Sequence, residues 1–294
     1  MVAGDGVTID NVKIESKKEV NKAIEVLGDD FTLKNSEILR VGDGNSGSIY
    51  FNASAGSGTL ENVIVHSWIS YYPTGDPAGN GLTLAGVTID FTSNEYAGNN
   101  RYGAITDSDK IQVGEGGLTV LVDDRVNLQE QVFARVPSDT TVKLTEDYTV
   151  EGTSLKITPA HENITFDLDG HTIKAAEGFG ASATEAEIKS GETNLLNVNS
   201  ANGFTIKNGT IEAGENGGKV RNVLNIYQSQ DNVTIADLTL DHTDAGVGAP
   251  LIVNQSGVTL SGQVNLVTGE NSWYAANVDA KTGAASLTAA DNST

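Results

Sequence analysis

Apolar and polar positions recur along this chain in one short phrase. Residues 204–211 read Phe-Thr-Ile-Lys-Asn-Gly-Thr-Ile, residues 7–14 Val-Thr-Ile-Asp-Asn-Val-Lys-Ile, residues 31–38 Phe-Thr-Leu-Lys-Asn-Ser-Glu-Ile and residues 58–65 Gly-Thr-Leu-Glu-Asn-Val-Ile-Val. Looser copies fill 82–89, 233–240 and, one residue longer, 258–266. The shared order is apolar or Gly, Thr, apolar, any residue, a turn former, any two residues, apolar. Asn11, Asn35, Asn62, Gly86, Asn208, Asp237 and Gly262 hold the fifth position. Asn, Asp and Gly are the residues that accept a left-handed backbone. Each copy therefore reads as a short strand, a one-residue bend and a second short strand. Ordinary hairpins are the competing reading. Their two-residue turns favour pairs such as Asn-Gly, and only Asn208-Gly209 supplies one within these copies.

The motif threonines are Thr8, Thr32, Thr59, Thr83, Thr119, Thr165, Thr205, Thr234, Thr259 and Thr288, with most gaps about 24 to 29 residues. That period belongs to solenoids. A weaker strand precedes many copies, at 23–26, 195–198, 223–226 and 250–253. Three short strands per turn, wound in one direction, predict an all-β fold, a parallel β-helix. About ten turns stacked at the strand spacing of about 4.8 Å predict a rod of about 45 Å.

The rhythm breaks between 113 and 165. Leu128, Val132 and Val136 stand four residues apart, which predicts a short amphipathic helix near 127–136 that Pro137 ends. A helix with new strands in mid-chain reads as an end cap, because an open coil end exposes unpaired edges and core. The expected division is 1–123, a first set of coils, and 124–294, the capping helix and a second set. Since the motif starts at Val7 and a further copy begins just before the last residue, the sequence reads as a piece of a longer protein.

Two loops outside the coil carry aromatic residues. The stretch 67–80 holds Trp68, Tyr71 and Tyr72, and 94–109 holds Tyr96, Arg101 and Tyr102. Insertions in a solenoid sit on its outside, often on one face, and exposed aromatics there stack on sugars or grip a protein. These six residues are the candidate ligand-binding set. The competing reading is that they cover the side of the coil.

Charge and composition narrow the function. Lys and Arg total 18 against 39 Asp and Glu, a net charge of −21. That argues against binding nucleic acid, which needs a basic face, and against attachment to anionic lipid. An acidic sheath keeps a repetitive β protein from pairing with its neighbours. No apolar run approaches a membrane span. With no cysteine there are no disulfides, thiolate metal sites or thiol nucleophile.

The run 141–173, containing Thr-Val-Lys-Leu-Thr-Glu-Asp-Tyr-Thr-Val and then Ile-Thr-Phe-Asp-Leu-Asp-Gly-His-Thr-Ile, resembles the opening coils of pectin-lyase-like right-handed β-helix domains. The Thr-apolar-x-Asn copies resemble the coils of the same superfamily, whose members stack asparagines at a bend. The resemblance implies a bacterial cell-surface or adhesin-like setting. It is weak for function, because the superfamily holds lyases, hydrolases, tailspikes and adhesins, and fold does not decide function.

Catalytic sets must therefore be sought directly. The full constellation of the polygalacturonase-like hydrolases is absent: Asp29-Asp30 and Asp123-Asp124 are lone pairs. Asp241-His242 faintly resembles a pectate-lyase signature, and calcium at Asp241 and Asp244 is the one cofactor the residues leave open. His66, His161, His171 and His242 lack helical metal-ligand spacing. The Thr ladder has no base at fixed spacing, and residues 114–117 are not a phosphate loop. The leading expectation is a non-catalytic bacterial surface module, an adhesin or stalk segment, whose partner is a glycan or a host surface protein. The alternatives are a polysaccharide lyase or hydrolase, and a bare spacer.

Overall fold

The computed structural model describes residues 1–16, 22–40, 47–71, 81–92, 105, 108–229, 232–280 and 283–290. The chain winds as a parallel β-solenoid and divides into two compact units, Met1–Lys143 and Leu144–Thr294. Residues 124–143, grouped with the second segment on sequence grounds, fall within the first unit. Among the described residues no helix is long and apolar enough to cross a membrane.

In the first unit the strands Thr8–Asp10, Phe31–Arg40, Gly58–His66 and Leu82–Ala85 pair in parallel, with Thr8, Thr32, Thr59 and Thr83 as successive partners. Within Gly58–His66 the inward positions are Gly58 and Leu60 before the bend, Val63 and Val65 after it. Strict alternation would turn Val63 outward. One left-handed residue between the halves shifts the phase by one, so both halves face the core. The φ angles are 56° at Asn11, 50° at Asn35, 52° at Asn62 and 62° at Gly86.

One turn later the bend widens. Ile111–Val113 pairs with Leu82–Ala85, and Leu118–Val122 with Val87–Asp90, so the Gly-Glu-Gly-Gly of 114–117 occupies the place of Ala85 and Gly86. Thr119 consequently aligns with Thr88, beyond the bend, and not with Thr83. Sequence spacing could not separate these two columns.

A second face holds Ile24–Val26, Ile49–Phe51 and Ile69–Tyr71, also parallel. Inside, Phe31 meets Phe51 edge-on at 6.1 Å, and Phe51 meets Tyr71 at 5.6 Å. Here one expectation is corrected. Trp68 and Tyr71 are not on an exposed loop: both side chains are 0% exposed. Tyr71 closes the strand Ile69–Tyr71, and its hydroxyl donates to the Gly56 carbonyl at 2.8 Å. Burying two large aromatics removes far more apolar surface from water than a surface site would allow. For these two residues the coil-covering role is the correct one. The helix expected near 127–136 is a single π-helical turn, Leu128–Phe133, capped by Asn127. A bond from the Ala134 amide five residues back to Gln129 puts Leu128 and Phe133 on one face, and both are buried.

In the second unit one sheet holds Thr165–Asp167, Thr205–Glu212, Val233–Asp241, Gly257–Val267 and Ser286–Ala289. Thr165, Thr205, Thr234, Thr259 and Thr288 are successive partners in it. A second sheet holds Leu155–Ile157, Leu196–Asn199, Asn222–Tyr227, Ala249–Asn254 and Ala276–Asp279. Asn208, Asp237 and Gly262 bend at φ of 59°, 48° and 63°. The extra residue of the 258–266 copy makes a bulge, in which Gly262 and Gln263 stand opposite Asp237.

Asn208-Gly209 is not a hairpin turn. A Cβ on Gly209 would lie 2.5 Å from the His171 carbonyl oxygen and 2.6 Å from Leu168 Cβ. Gly209 is required by the close passage of the preceding turn, and Asn208 alone makes the bend. A buried asparagine network ties this unit further. Asn222 Nδ2 donates to Asn194 Oδ1 at 2.7 Å, and Asn225 Nδ2 to Asn197 Oδ1 at 2.8 Å. The six-residue helix Glu185–Ser190 carries a complete capping box, Thr184 with Glu187, and ends on Gly191 at φ 88°.

Candidate functional site

Three loops of successive turns meet on one side of the second unit: 217–221, 243–248 and 269–273. Their backbones approach more closely than side chains permit. A Cβ on Gly248 would overlap the Arg221 carbonyl oxygen at 1.5 Å, and one on Gly269 would meet the Thr243 oxygen at 2.2 Å. The glycines admit two direct bonds, Gly246 N–H to the Val220 carbonyl at 2.9 Å and Trp273 N–H to the Gly248 carbonyl at 2.8 Å.

Beneath them lies His242, fully buried. Its Nε2 is 2.8 Å from the Arg221 carbonyl oxygen and its Nδ1 is 2.8 Å from Ser272 Oγ. A carbonyl only accepts, so Nε2 carries the proton, and Nδ1 accepts from the serine hydroxyl. Ser272 Oγ in turn accepts from Gly269 N–H at 2.9 Å. Burial pushes the imidazole below the usual histidine value, which keeps it neutral, although the bond to the Arg221 carbonyl and the nearby Asp241 work the other way. One side chain thus pins the first and third loops together.

Above this layer the loops and the helix Glu185–Ser190 enclose a groove of about 340 Å³. Ile188 and Val247 supply apolar wall, and Lys189, Lys219, Arg221 and Trp273 supply the groups that can recognise a ligand, with Glu185 at the rim. Trp273 is 57% exposed, and the Arg221 guanidinium sits 5.4 Å from its ring centre. Arg221 Nη1 is fixed by the Ile188 carbonyl at 3.2 Å. Of the six exposed large apolar residues among those described, Val247 and Trp273 line this groove.

Sequence reasoning missed this site. Of the six aromatic and basic residues it singled out, Trp68 and Tyr71 are in the core, while Tyr72, Tyr96, Arg101 and Tyr102 lie outside the described residues. A signal did exist. Arg221, Val247 and Trp273 stand 26 residues apart in each case (247 − 221 and 273 − 247), one coil period. The pattern Thr184-x-x-Glu187 also announces the helix that forms the wall.

The other candidates have structural partners. Ser57 Oγ donates to Asp30 at 2.8 Å, and the Asp29 amide donates to Asp5 at 2.9 Å, so this pair joins neighbouring turns. Asp123 is buried against Arg125, whose Nε donates to it at 2.9 Å. His66 lies between Glu37 at 3.0 Å and Asp90 at 3.2 Å, and Lys13 pairs with Glu37 at 2.7 Å. The hydrogen bond it makes to Asp90, then that to Glu37, holds the His66 pKa above its usual value against burial. With both nitrogens on carboxylates it offers no lone pair to a substrate. Asp241 and Asp244 do share one polar pocket of about 330 Å³ with Glu212 and Glu215, and Lys174 is part of its lining.

No protein-family description, no curated protein and no solved structure matches this chain.

Proposed function

We propose that this protein is a binding module of a bacterial surface protein, built on a pectin-lyase-like β-helix, and that its ligand seats in the groove beside Trp273. The observation that carries the proposal is the half-exposed indole of Trp273 held against a fixed Arg221 guanidinium over an apolar-walled groove. Large aromatics exposed in this way cost solubility, and they recur where proteins grip glycans or other proteins. The repeat pattern and the parallel coils support the scaffold assignment. The acidity of the chain and the structural employment of Asp29, Asp123, His66 and His242 favour binding over cleavage.

The test uses the whole chain on a panel of immobilised glycans and purified extracellular host proteins, followed by the fluorescence of Trp273. The proposal requires a ligand that the native protein retains and Trp273→Ala releases. It fails if Trp273→Ala binds as well as the native protein. It fails equally if polysaccharides incubated with the protein yield new reducing ends or unsaturated products.

A further inference from the structure

Resting on that reading, we infer that the groove takes an acidic sugar, a pyranose bearing a carboxylate, as the end unit of an anionic glycan. The inference comes from where the positive charge is. The chain has only 18 Lys and Arg in a net charge of −21, yet Lys189, Lys219 and Arg221 all line one groove of about 340 Å³. Among the described residues neither Lys219 nor Arg221 is in an ion pair, and Lys189 has only Glu185 at 3.8 Å, both side chains highly exposed. An exposed pair of that kind is weak and leaves the lysine available. At physiological salt the screening length is about 8 Å. The lining itself carries three cations against one carboxylate, Glu185, so the charge nearest a seated ligand is net positive.

The remaining features fit the other half of such a ligand. A guanidinium has five N–H donors in a planar fork, and Nη1 is the one engaged here, on the Ile188 carbonyl. The rest can meet a carboxylate side-on, the geometry that arginine favours. The Trp273 indole, 57% exposed with the guanidinium over one face, offers apolar ring surface to the C–H side of a pyranose, and Val247 and Ile188 add apolar lining. The groove has room for about one such ring. Because the Arg221 carbonyl and Ser272 are clamped by His242, the cation and the indole keep their spacing before the ligand arrives, which lowers the ordering cost of binding.

The experiment titrates the full chain with 3′-sialyllactose and with a glucuronic acid hexasaccharide, each beside its carboxyl-reduced counterpart, followed by Trp273 fluorescence and calorimetry. At least one acid form should bind about tenfold or more tightly than its reduced form, the scale of one charge-assisted contact. Arg221→Gln should erase that preference while leaving weak binding of the reduced sugar, and the double variant Lys189→Gln/Lys219→Gln should reduce it. Trp273→Ala should abolish binding of both forms. Thermal midpoints of all variants confirm that each is folded. Equal affinity for acid and reduced forms overturns the acidic-sugar inference and leaves the binding-module reading in place. Binding of no sugar also overturns the inference, and the host-protein panel then decides whether the broader reading stands. A preference that survives Arg221→Gln together with the double lysine variant overturns the assignment to this groove.

Discussion

Replacing Asn35 by Val tests the one-residue bend on which both sequence phrase and coil depend. Asn35 sits at φ 50°. Its Nδ2 donates to Asp10 Oδ1 at 2.9 Å, and its Oδ1 accepts from Asn62 Nδ2 at 3.3 Å. Both bonds are at the surface, so together they contribute about 0.5–1 kcal/mol. A β-branched side chain forced to this φ costs about 1–3 kcal/mol. The expected loss is therefore about 2–4 kcal/mol for Asn35→Val. Asn35→Gly removes the same side-chain bonds without the strain, and its loss should stay near 1 kcal/mol. At about 2–4 °C per kcal/mol for a unit of this size, the valine variant should melt roughly 5–15 °C lower. The assay can be confined to the first unit. In a Trp273→Phe background the buried Trp68 is the remaining tryptophan, and its emission reports melting of that unit. If valine and glycine lower the midpoint equally, left-handed strain is not what selects Asn at this position, and the bend argument is refuted.

Other expectations follow from individual contacts. Gly209→Ala should destabilise the second unit by about 2–4 kcal/mol, because its Cβ meets backbone that cannot yield; an unchanged denaturation midpoint would contradict the packing at His171. His66 and His242 should give opposite pH dependence. The raised pKa of His66 makes its contribution complete below the ordinary histidine value and lost as pH rises through the folded value. For His242, whose pKa is lowered, the contribution is complete above the ordinary value and lost as pH falls through it. Urea melts of each native unit against its His→Gln variant, between about pH 5 and 8, should show the two differences changing in opposite directions. Thr184→Ala should loosen the helix Glu185–Ser190, at a cost of about 1 kcal/mol, and weaken ligand binding while global melting stays nearly constant; unchanged affinity would remove this helix from the site.

Much of the coil was legible because its rules are local. At the bend of the repeated phrase the left-handed residue is Asn, Asp or Gly, and it recurs at the same place, so Asn11, Asn35, Asn62, Asn208 and Asp237 could be found by eye. The second strand of each turn is harder. Ile69–Tyr71 is three residues long and buried throughout, so it shows no alternation, and with Trp68 before it and Pro73 after it the stretch reads as an aromatic loop. Thr119 shows another limit. Four residues replace two at the preceding bend, which moves this threonine into a neighbouring column without changing its local sequence. The groove was hidden for a different reason. Its residues share no phrase, since they come from several turns, and adjacency across turns is written only at the coil period.

That arrangement separates what holds the coil from what the proposed ligand would meet. The Thr columns, the left-handed bends and the apolar positions of the strands are fixed by stacking, and any one of them is constrained by the turns on both sides. Arg221, Val247 and Trp273 lie outside those columns, one per turn, each on a loop whose backbone is already satisfied by its neighbours and by His242. Changing one of these side chains alters one wall of the groove and leaves the inter-turn bonds standing, because those bonds come from Gly246, Gly248, Ser272 and backbone groups. The positive charge follows the same logic. Three cations clustered on loop and helix positions can set the local field without neutralising the acidic surface that keeps the sheet edges of such a protein apart. A coil of this kind can therefore change its ligand one loop residue at a time. The conserved quantity across such changes is the buried imidazole clamp and the glycines beside it, since without them the three loops cannot lie close enough to form one groove.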